Sequence, residues 1–164
     1  MLFDSRNFIR KFGIVVLLLG VMVSAAHAED DDDEVRMPAA SNALWKTECG
    51  ACHVAFPPRL LPAASWRAVM SGLDKHFGTD ASLDAKSTQE IGTFLEKHAG
   101  RNRHATSGQP VLRITETRWF QREHDEISAR TWNNPKVKSA ANCSACHMQA
   151  ENGNYSEHNI RIPK

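Results

Sequence analysis

A five-residue motif, C-x-x-C-H, occurs twice in the chain and constrains its fold more than any other feature. The copies read CGACH at residues 49–53 and CSACH at residues 143–147, and they contain all four cysteines of the 164-residue sequence. This motif is typical of covalent c-type haem attachment, in which two thiols bond the porphyrin edge and the histidine ligates the iron. The sequence therefore predicts two covalently bound haem c groups. The predicted attachment residues are Cys49, Cys52, Cys143 and Cys146, and the predicted iron ligands within the motifs are His53 and His147.

Other uses of paired cysteines fit this sequence less well. Zinc ribbons place two C-x-x-C pairs about 15 to 20 residues apart, whereas Cys49 and Cys143 are 94 positions apart. A thioredoxin-like dithiol needs a βαβ context, and the sequence shows no such alternation. Structural disulfides would suit an exported protein, but they would not explain a histidine directly after each pair.

The first 28 residues have the pattern of a cleaved secretory signal peptide. Basic residues precede an apolar run at residues 13–23, and an A-x-A tripeptide at residues 26–28 is typical of a cleavage site. The run is shorter than the about 20 residues that a membrane span needs, so we expect no stable membrane anchor. Residues 29–40 form a predicted flexible, acidic leader. Because haem c is attached outside the cytoplasm, we expect a soluble periplasmic protein.

The rest of the sequence divides into two predicted haem-binding halves, residues 41–100 and 101–164. In the first half, apolar residues from Trp66 to His76 recur at steps of three and four, which predicts a helix that Gly78 ends. A second helix is predicted over residues 87–99, because Ser87 opens a capping-box pattern there.

The second half has weaker signals and few large aliphatic residues. We expect a polar loop between Gly100 and Pro110, a short extended piece at residues 111–115, a helix over residues 117–127 and a mostly irregular end after His147. A chain with so small an apolar core usually needs a staple such as a metal or a cofactor. We therefore expect each haem to form the centre of its own half.

Each iron needs a second axial ligand from outside the motifs. His76 closes the apolar face of its predicted helix, and His124 follows Phe120 by one turn on another. A core histidine bonded to the backbone is the alternative for His76, and His98 is the chief rival ligand. The remaining candidates, which are less favoured, are His104, His158, Met37, Met70 and Met148.

The chain resembles the small dihaem cytochrome c family of bacterial periplasms. The resemblance covers nearly all of residues 45–163 and goes beyond the haem motifs. It is carried by WKTEC at 45–49, LLP at 60–62, SW at 65–66, HFG at 76–78, RIT at 113–115, WF at 119–120 with His124, and NCSACH at 142–147. It implies bis-histidine haems and selects His76 and His124 as the remaining ligands. It also implies an oxygen-binding monohaem c-type cytochrome and a membrane cytochrome b as partners.

Together these features predict a mostly α-helical, small two-part dihaem cytochrome, with helices and irregular loops around two covalent haems. The predicted function is transfer of single electrons between redox proteins, without catalysis. One alternative is a haem enzyme or ligand sensor with an iron site that opens. Another is a structural or docking protein whose haems only stabilise its fold.

The charge pattern constrains the partners only weakly. A net charge of +1 gives no support to nucleic-acid binding, because such proteins carry a surplus of Lys and Arg. Basic residues around the first motif form a predicted rim that would orient an acidic redox partner, and an ordinary solvated surface is the alternative. The rim consists of Lys46, Arg59, Arg67 and Lys75.

Overall fold

A computed structural model of the protein describes residues 41–101 and 109–164. The predicted signal peptide, the acidic leader, Met37 and His104 lie outside these residues. Within the described ranges no helix is long and apolar enough to cross a membrane.

The described chain is built from five short α-helices and several 3₁₀ turns, and these two ranges contain no β-strand. The α-helices are α1 (Ala43–Cys49), α2 (Ala63–Met70), α3 (Ala85–Lys97), α4 (Arg118–Glu123) and α5 (Ala129–Trp132). The 3₁₀ turns are Pro58–Leu60, Leu73–Lys75, Ile114–Glu116, Cys143–Ala145, Ala150–Asn152 and Glu157–Asn159. The mostly helical fold predicted from the sequence is therefore confirmed, with irregular segments between the helices.

The predicted start of the second helix is wrong, because α3 begins at Ala85, two residues before the predicted range. Asp84 is the N-cap, and its carboxylate accepts hydrogen bonds from the backbone N–H groups of Lys86 at 2.9 Å and Ser87 at 3.1 Å. Ser87 also donates its hydroxyl to Asp84 at 2.6 Å. Ser87 therefore supports the cap from within the first turn of the helix.

Two predicted helices are shorter than their patterns indicate. The helix predicted to reach His76 ends at Met70, since Ser71 caps it and Gly72 leaves helical geometry before the 3₁₀ turn Leu73–Lys75. The helix predicted over residues 117–127 ends at Glu123, because the His124 Nδ1 bonds the Phe120 carbonyl oxygen at 2.8 Å. The predicted extended piece at residues 111–115 is shorter than its pattern indicates: Arg113 is extended, with φ of −98° and ψ of 124°, but a 3₁₀ turn begins at Ile114.

The main apolar core lies between the first three helices. Its buried members are Trp45, Leu61, Trp66, Ile91 and Leu95. Helices α2 and α3 pack directly against each other, and the Trp66 indole N–H donates to the buried Pro58 carbonyl oxygen at 2.7 Å. Ile114, from beyond the polar loop, packs against the same core.

The second half buries much less apolar surface. Among its described residues, the buried apolar side chains are Phe120, Val137 and Ala150. A fully buried Val or Phe side chain contributes about 1.5 to 3 kcal/mol of stability and an alanine less, so these three residues give this half a weak core. A cofactor at its centre would supply the contacts that the side chains lack.

A close backbone approach joins the end of the α3 region to the segment before α2. Gly100 donates its N–H to the Leu61 carbonyl oxygen at 2.9 Å, and a Cβ at this position would collide with the Arg59 carbonyl oxygen. Only glycine permits this approach without a backbone shift.

We expect Gly100→Ala to lower the free energy of unfolding by about 1 to 3 kcal/mol, because the new methyl group overpacks the site. Gly92→Ala is the matched control, since Gly92 lies within α3 with open space around its Cα. The control should raise the free energy of unfolding by roughly 0.5 to 1 kcal/mol through helix propensity. Denaturant unfolding of both holoproteins measures the difference, and equal stabilities would contradict the argument.

Candidate haem-binding sites

The first C-x-x-C-H motif starts at the end of a helix and continues into a turn. Helix α1 ends at Cys49, which is half-buried and packs against the core. A Cβ at Gly50 would collide with the Lys46 carbonyl oxygen, so this turn needs a glycine. Beyond it, Cys52 and His53 lie exposed on the surface of the chain.

The second motif lies in a 3₁₀ turn over Cys143–Ala145. The Cys143 carbonyl oxygen accepts hydrogen bonds from the backbone N–H groups of Cys146 at 3.2 Å and His147 at 2.8 Å. These bonds hold both thiols and the imidazole in one compact turn.

All four cysteines are free thiols rather than disulfides. Burial raises the pKa of Cys49 to about 11, with a smaller contribution from the charge of Glu48. Burial also raises the pKa of Cys143 to about 11. The described residues include no group of three or more His, Cys, Asp or Glu side chains placed to hold a metal ion, which disfavours the zinc alternative.

The four predicted histidine ligands meet in two pairs. The ring centroids of His53 and His76 are 6.2 Å apart, with 27° between the ring planes. The ring centroids of His124 and His147 are 6.1 Å apart, with 69° between the planes. Each pair therefore joins the histidine of one motif to one histidine from elsewhere in the chain.

The separation within each pair fits an iron between two imidazoles. A metal–nitrogen bond is about 2 Å long and a ring nitrogen lies about 1 Å from its centroid, so two opposed imidazoles on one metal have centroids about 6 Å apart. Direct stacking would bring aromatic rings closer, as for His53 on Phe56 at 4.6 Å. The residues present at both sites thus fit a bis-histidine haem.

Hydrogen bonds orient one histidine of each pair. The Nδ1–H of His53 donates to the Val54 carbonyl oxygen at 2.8 Å, and the Nδ1–H of His124 donates to the Phe120 carbonyl oxygen at 2.8 Å. A proton on Nδ1 leaves the Nε2 lone pair free for a metal and makes it a stronger donor. The Phe120 ring also stacks on His124 at 4.0 Å.

The surroundings of His147 and His76 lower the pKa values of these two histidines. Burial lowers the pKa of His147, and His124 lowers it further. Burial also lowers the pKa of His76, with smaller contributions from His53 and Arg113. Neutral imidazole is the form that ligates a metal, so both rings are ready to ligate at neutral pH.

Two buried polar atoms next to the second pair have no hydrogen-bond partner within the described ranges. They are the Nδ1 of His147 and the hydroxyl oxygen of Tyr155, whose rings are 5.3 Å apart. Burial raises the pKa of Tyr155, and Cys143 adds to this effect. Unpartnered buried polar atoms are rare in folded proteins, so their presence marks this pair as a site built for a bound group.

The rival ligands lie in other surroundings. The His98 ring packs on Phe94 at 5.1 Å rather than on another histidine, although His98 lines the same cavity as His53. Met70 packs against the apolar core. Met148 is 57% exposed, and His158 is exposed.

One cavity of about 1140 Å³ borders both motifs. Its lining includes Cys52 and His53 of the first motif and Ser144 of the second. Of the predicted basic rim, Lys46 and Arg59 line this cavity, and Lys138 joins them. Arg67 instead forms an ion pair with Glu96 at 2.6 Å. The cavity thus brings the two motifs and three basic residues to one region of the chain.

A mostly helical chain with two C-x-x-C-H motifs and paired imidazoles defines a c-type haem protein. The sequence profile of the family described as "Dihaem cytochrome c" matches residues 45–155. The chain therefore belongs to the dihaem cytochrome c family, as its sequence predicted.

Solved structures of diheme cytochromes c are similar to this chain over most of their own length. The diheme cytochrome c from Rhodobacter sphaeroides is 43% identical, with a TM-score of 0.65, over 71% of this chain and 98% of that chain. A second structure of that kind, DHC purified from R. sphaeroides, is 46% identical, with a TM-score of 0.62, over 71% of this chain and 99% of that chain.

A diheme cytochrome c from a second organism is about as similar to this chain. The diheme cytochrome type c from Shewanella baltica OS155 is 44% identical, with a TM-score of 0.66, over 74% of this chain and 93% of that chain. No curated protein matches the sequence significantly. Family membership, together with the two motifs, means that the protein carries two covalently bound haem c groups and is a haem c electron carrier.

We expect each motif to attach its own haem independently. Replacing Cys143 and Cys146 together by Ser should reduce the covalent haem count from two to one, and the same change at Cys49 and Cys52 should do likewise, because a hydroxyl forms no thioether. Pyridine haemochrome counting and haem-stained denaturing gels measure the result. Ser144→Ala, within the second motif, is the control and should keep two haems. A wild-type count below two would contradict the assignment.

Proposed function

We propose that the protein carries single electrons between periplasmic redox proteins through two low-spin bis-histidine haems. In this proposal His53 and His76 ligate one iron, and His124 and His147 ligate the other. The observation that carries it is the separation of about 6 Å within each imidazole pair. The haems supply the redox chemistry, since their irons cycle between ferric and ferrous states.

Two histidines at each iron leave no open position for a substrate. A haem enzyme or gas sensor needs an iron position that is open or easily opened, so the pairing supports electron transfer over catalysis. The Nδ1 hydrogen bonds of His53 and His124 strengthen their donation to the metal. Two nitrogen ligands favour the ferric state more than a histidine and methionine pair does, so we expect low midpoint potentials at both haems.

The ligand-sensor alternative is favoured by one observation at the first pair. The hydrogen bonds of the described residues include none to the His76 ring, whereas the His53 ring has one at 2.8 Å. Within the first pair, His76 is therefore the ligand that would leave an iron more easily. Binding of carbon monoxide to the reduced native protein would support this alternative.

The shared cavity supports electron exchange between the two haems. Because residues of both motifs line it, the two haem edges would lie near each other. The basic residues along it, Lys46 and Arg59, would orient an acidic partner. As the family resemblance implies, we propose an oxygen-binding monohaem c-type cytochrome and a membrane cytochrome b as the redox partners.

We expect His76→Ala and His124→Ala each to make one haem high-spin and able to bind carbon monoxide, because each change opens one iron position. Ferrous-minus-ferric spectra with and without carbon monoxide measure this. The native protein should show reversible reduction of two low-spin haems and no carbon monoxide complex. His98→Ala is the control and should behave like the native protein. If His98→Ala alone opened a haem, the ligand assignment would be wrong.

We also expect reversal of Lys46 and Arg59 to Glu to slow association with the redox partner, with little change in either midpoint potential. Exposed charges are screened over about 10 Å at 0.1 M salt, so the native electron-transfer rate should fall as salt is added. Stopped-flow kinetics with the purified partner measures both effects. The control reverses two exposed lysines of α3 that do not line the cavity, Lys86 and Lys97. An electron-transfer rate that does not depend on salt would contradict electrostatic steering by Lys46 and Arg59.

A further inference from the structure

The turn that follows His76 contains a residue that its backbone geometry disfavours. The Thr79 N–H donates to the His76 carbonyl oxygen at 3.0 Å, and the two central residues, Phe77 and Gly78, have φ of 50° and 100°. Two positive φ angles at the centre are the pattern of a type I′ turn, which prefers Asn-Gly. Gly78 fits this pattern, but a bulky aromatic residue at Phe77 is strained.

Burial does not explain why the chain keeps a phenylalanine there. Phe77 is 44% exposed, so its ring gains little from the apolar core. Strained backbone positions often mark functional sites, because the surrounding structure must hold them in place. The contacts of the Phe77 ring therefore indicate its role.

The Phe77 ring lies between His76 and a cation. Its centroid is 4.8 Å from the His76 ring, with 62° between the planes, which is an edge-to-face contact. The Arg113 guanidinium carbon lies 4.1 Å from the Phe77 centroid, above the ring face. This distance is well within the range of a cation–π interaction.

Arg113 is itself held in position by its neighbours. Ile114, the next residue, packs against the main core, and Arg113 Nε lies 3.6 Å from a carboxylate oxygen of Glu116. The guanidinium group thus extends from an anchored backbone to the turn after His76. We name the three adjacent side chains, His76, Phe77 and Arg113, the ligand clamp.

We propose that Phe77 and Arg113 are positioning residues that fix the plane of the His76 imidazole and raise the midpoint potential of its haem. The proposal rests on the proposed function, in which His76 ligates iron. The described residues give the His76 ring no hydrogen bond of the kind that orients His53 and His124, and the ligand clamp takes the place of that bond. A fixed cation beside the ligand favours the reduced haem, because reduction adds an electron.

The ring planes give this proposal a spectroscopic signature. With nearly parallel imidazoles, π donation to two iron d orbitals is unequal, and the ferric haem gives a rhombic low-spin EPR signal. With nearly perpendicular imidazoles the two orbitals are close in energy, and the signal is strongly anisotropic with a larger maximum g value. The angles of 27° and 69° therefore predict one signal of each kind, and the rhombic one belongs to His53 and His76.

The test uses EPR spectra and redox titrations of holoprotein variants. Arg113→Gln and Phe77→Leu should each shift the rhombic signal and leave the anisotropic one unchanged. Arg113→Gln should also lower one midpoint potential, whereas Arg113→Lys should keep most of that potential because it retains the charge. The control is Arg122→Gln, which removes an exposed positive charge that is paired with Glu123 at 2.7 Å. The control should leave the rhombic signal unchanged.

Phe77→Gly separates positioning from folding. It relieves the strained φ while it removes the ring, so the protein should fold at least as stably and still show the shifted rhombic signal. Unchanged rhombic signals in the Phe77 variants and in Arg113→Gln would overturn the proposal, as would a lower potential without any EPR change. If His76→Ala leaves both haems low-spin, the ligand assignment itself fails. If His76→Ala opens a haem but the clamp variants change nothing, only this inference fails.

Discussion

The proposed histidine pairs are the interaction on which the rest of this small fold depends. Each pair joins a C-x-x-C-H motif to a residue 23 positions away, downstream for His53 and upstream for His147. Coordination of one iron by both rings would close each of these segments into a loop. Metal binding then contributes directly to folding, which matters most in the second half, where the described residues bury only three apolar side chains, those of Phe120, Val137 and Ala150.

The two sites reach similar ring separations by different means. In the second pair, His124 is held by stacking and by the Phe120 carbonyl oxygen, and His147 packs near Tyr155. In the first pair, His53 is held in the same way, by Phe56 and by Val54, but His76 depends on contacts from a distant part of the chain. The second site is therefore built mostly from local contacts, and the first depends on how the two halves pack.

The sequence predicted the features that local chemistry determines. The C-x-x-C-H spacing was enough to predict covalent haems, and apolar periodicity predicted that helices lie near Trp66 and Ile91. Helix ends were predicted poorly, because side chains compete for backbone groups there: Asp84 rather than Ser87 caps α3, and the His124 imidazole bonds the carbonyl oxygen at the end of α4. The pairing of the rings stayed open at the level of the sequence, since it depends on the path of the chain; the short segment after His147 only favoured an upstream ligand such as His124 for the second motif.

The cavity beside the first motif suits a carrier. Cys52 and His53 line it beside Lys46 and Arg59. In the proposed function, an acidic partner would approach along this cavity, because its basic residues attract negative charge. A cation fixed beside His76 would then tune the haem of that same motif and act less on the second haem, since electrostatic effects fall with distance.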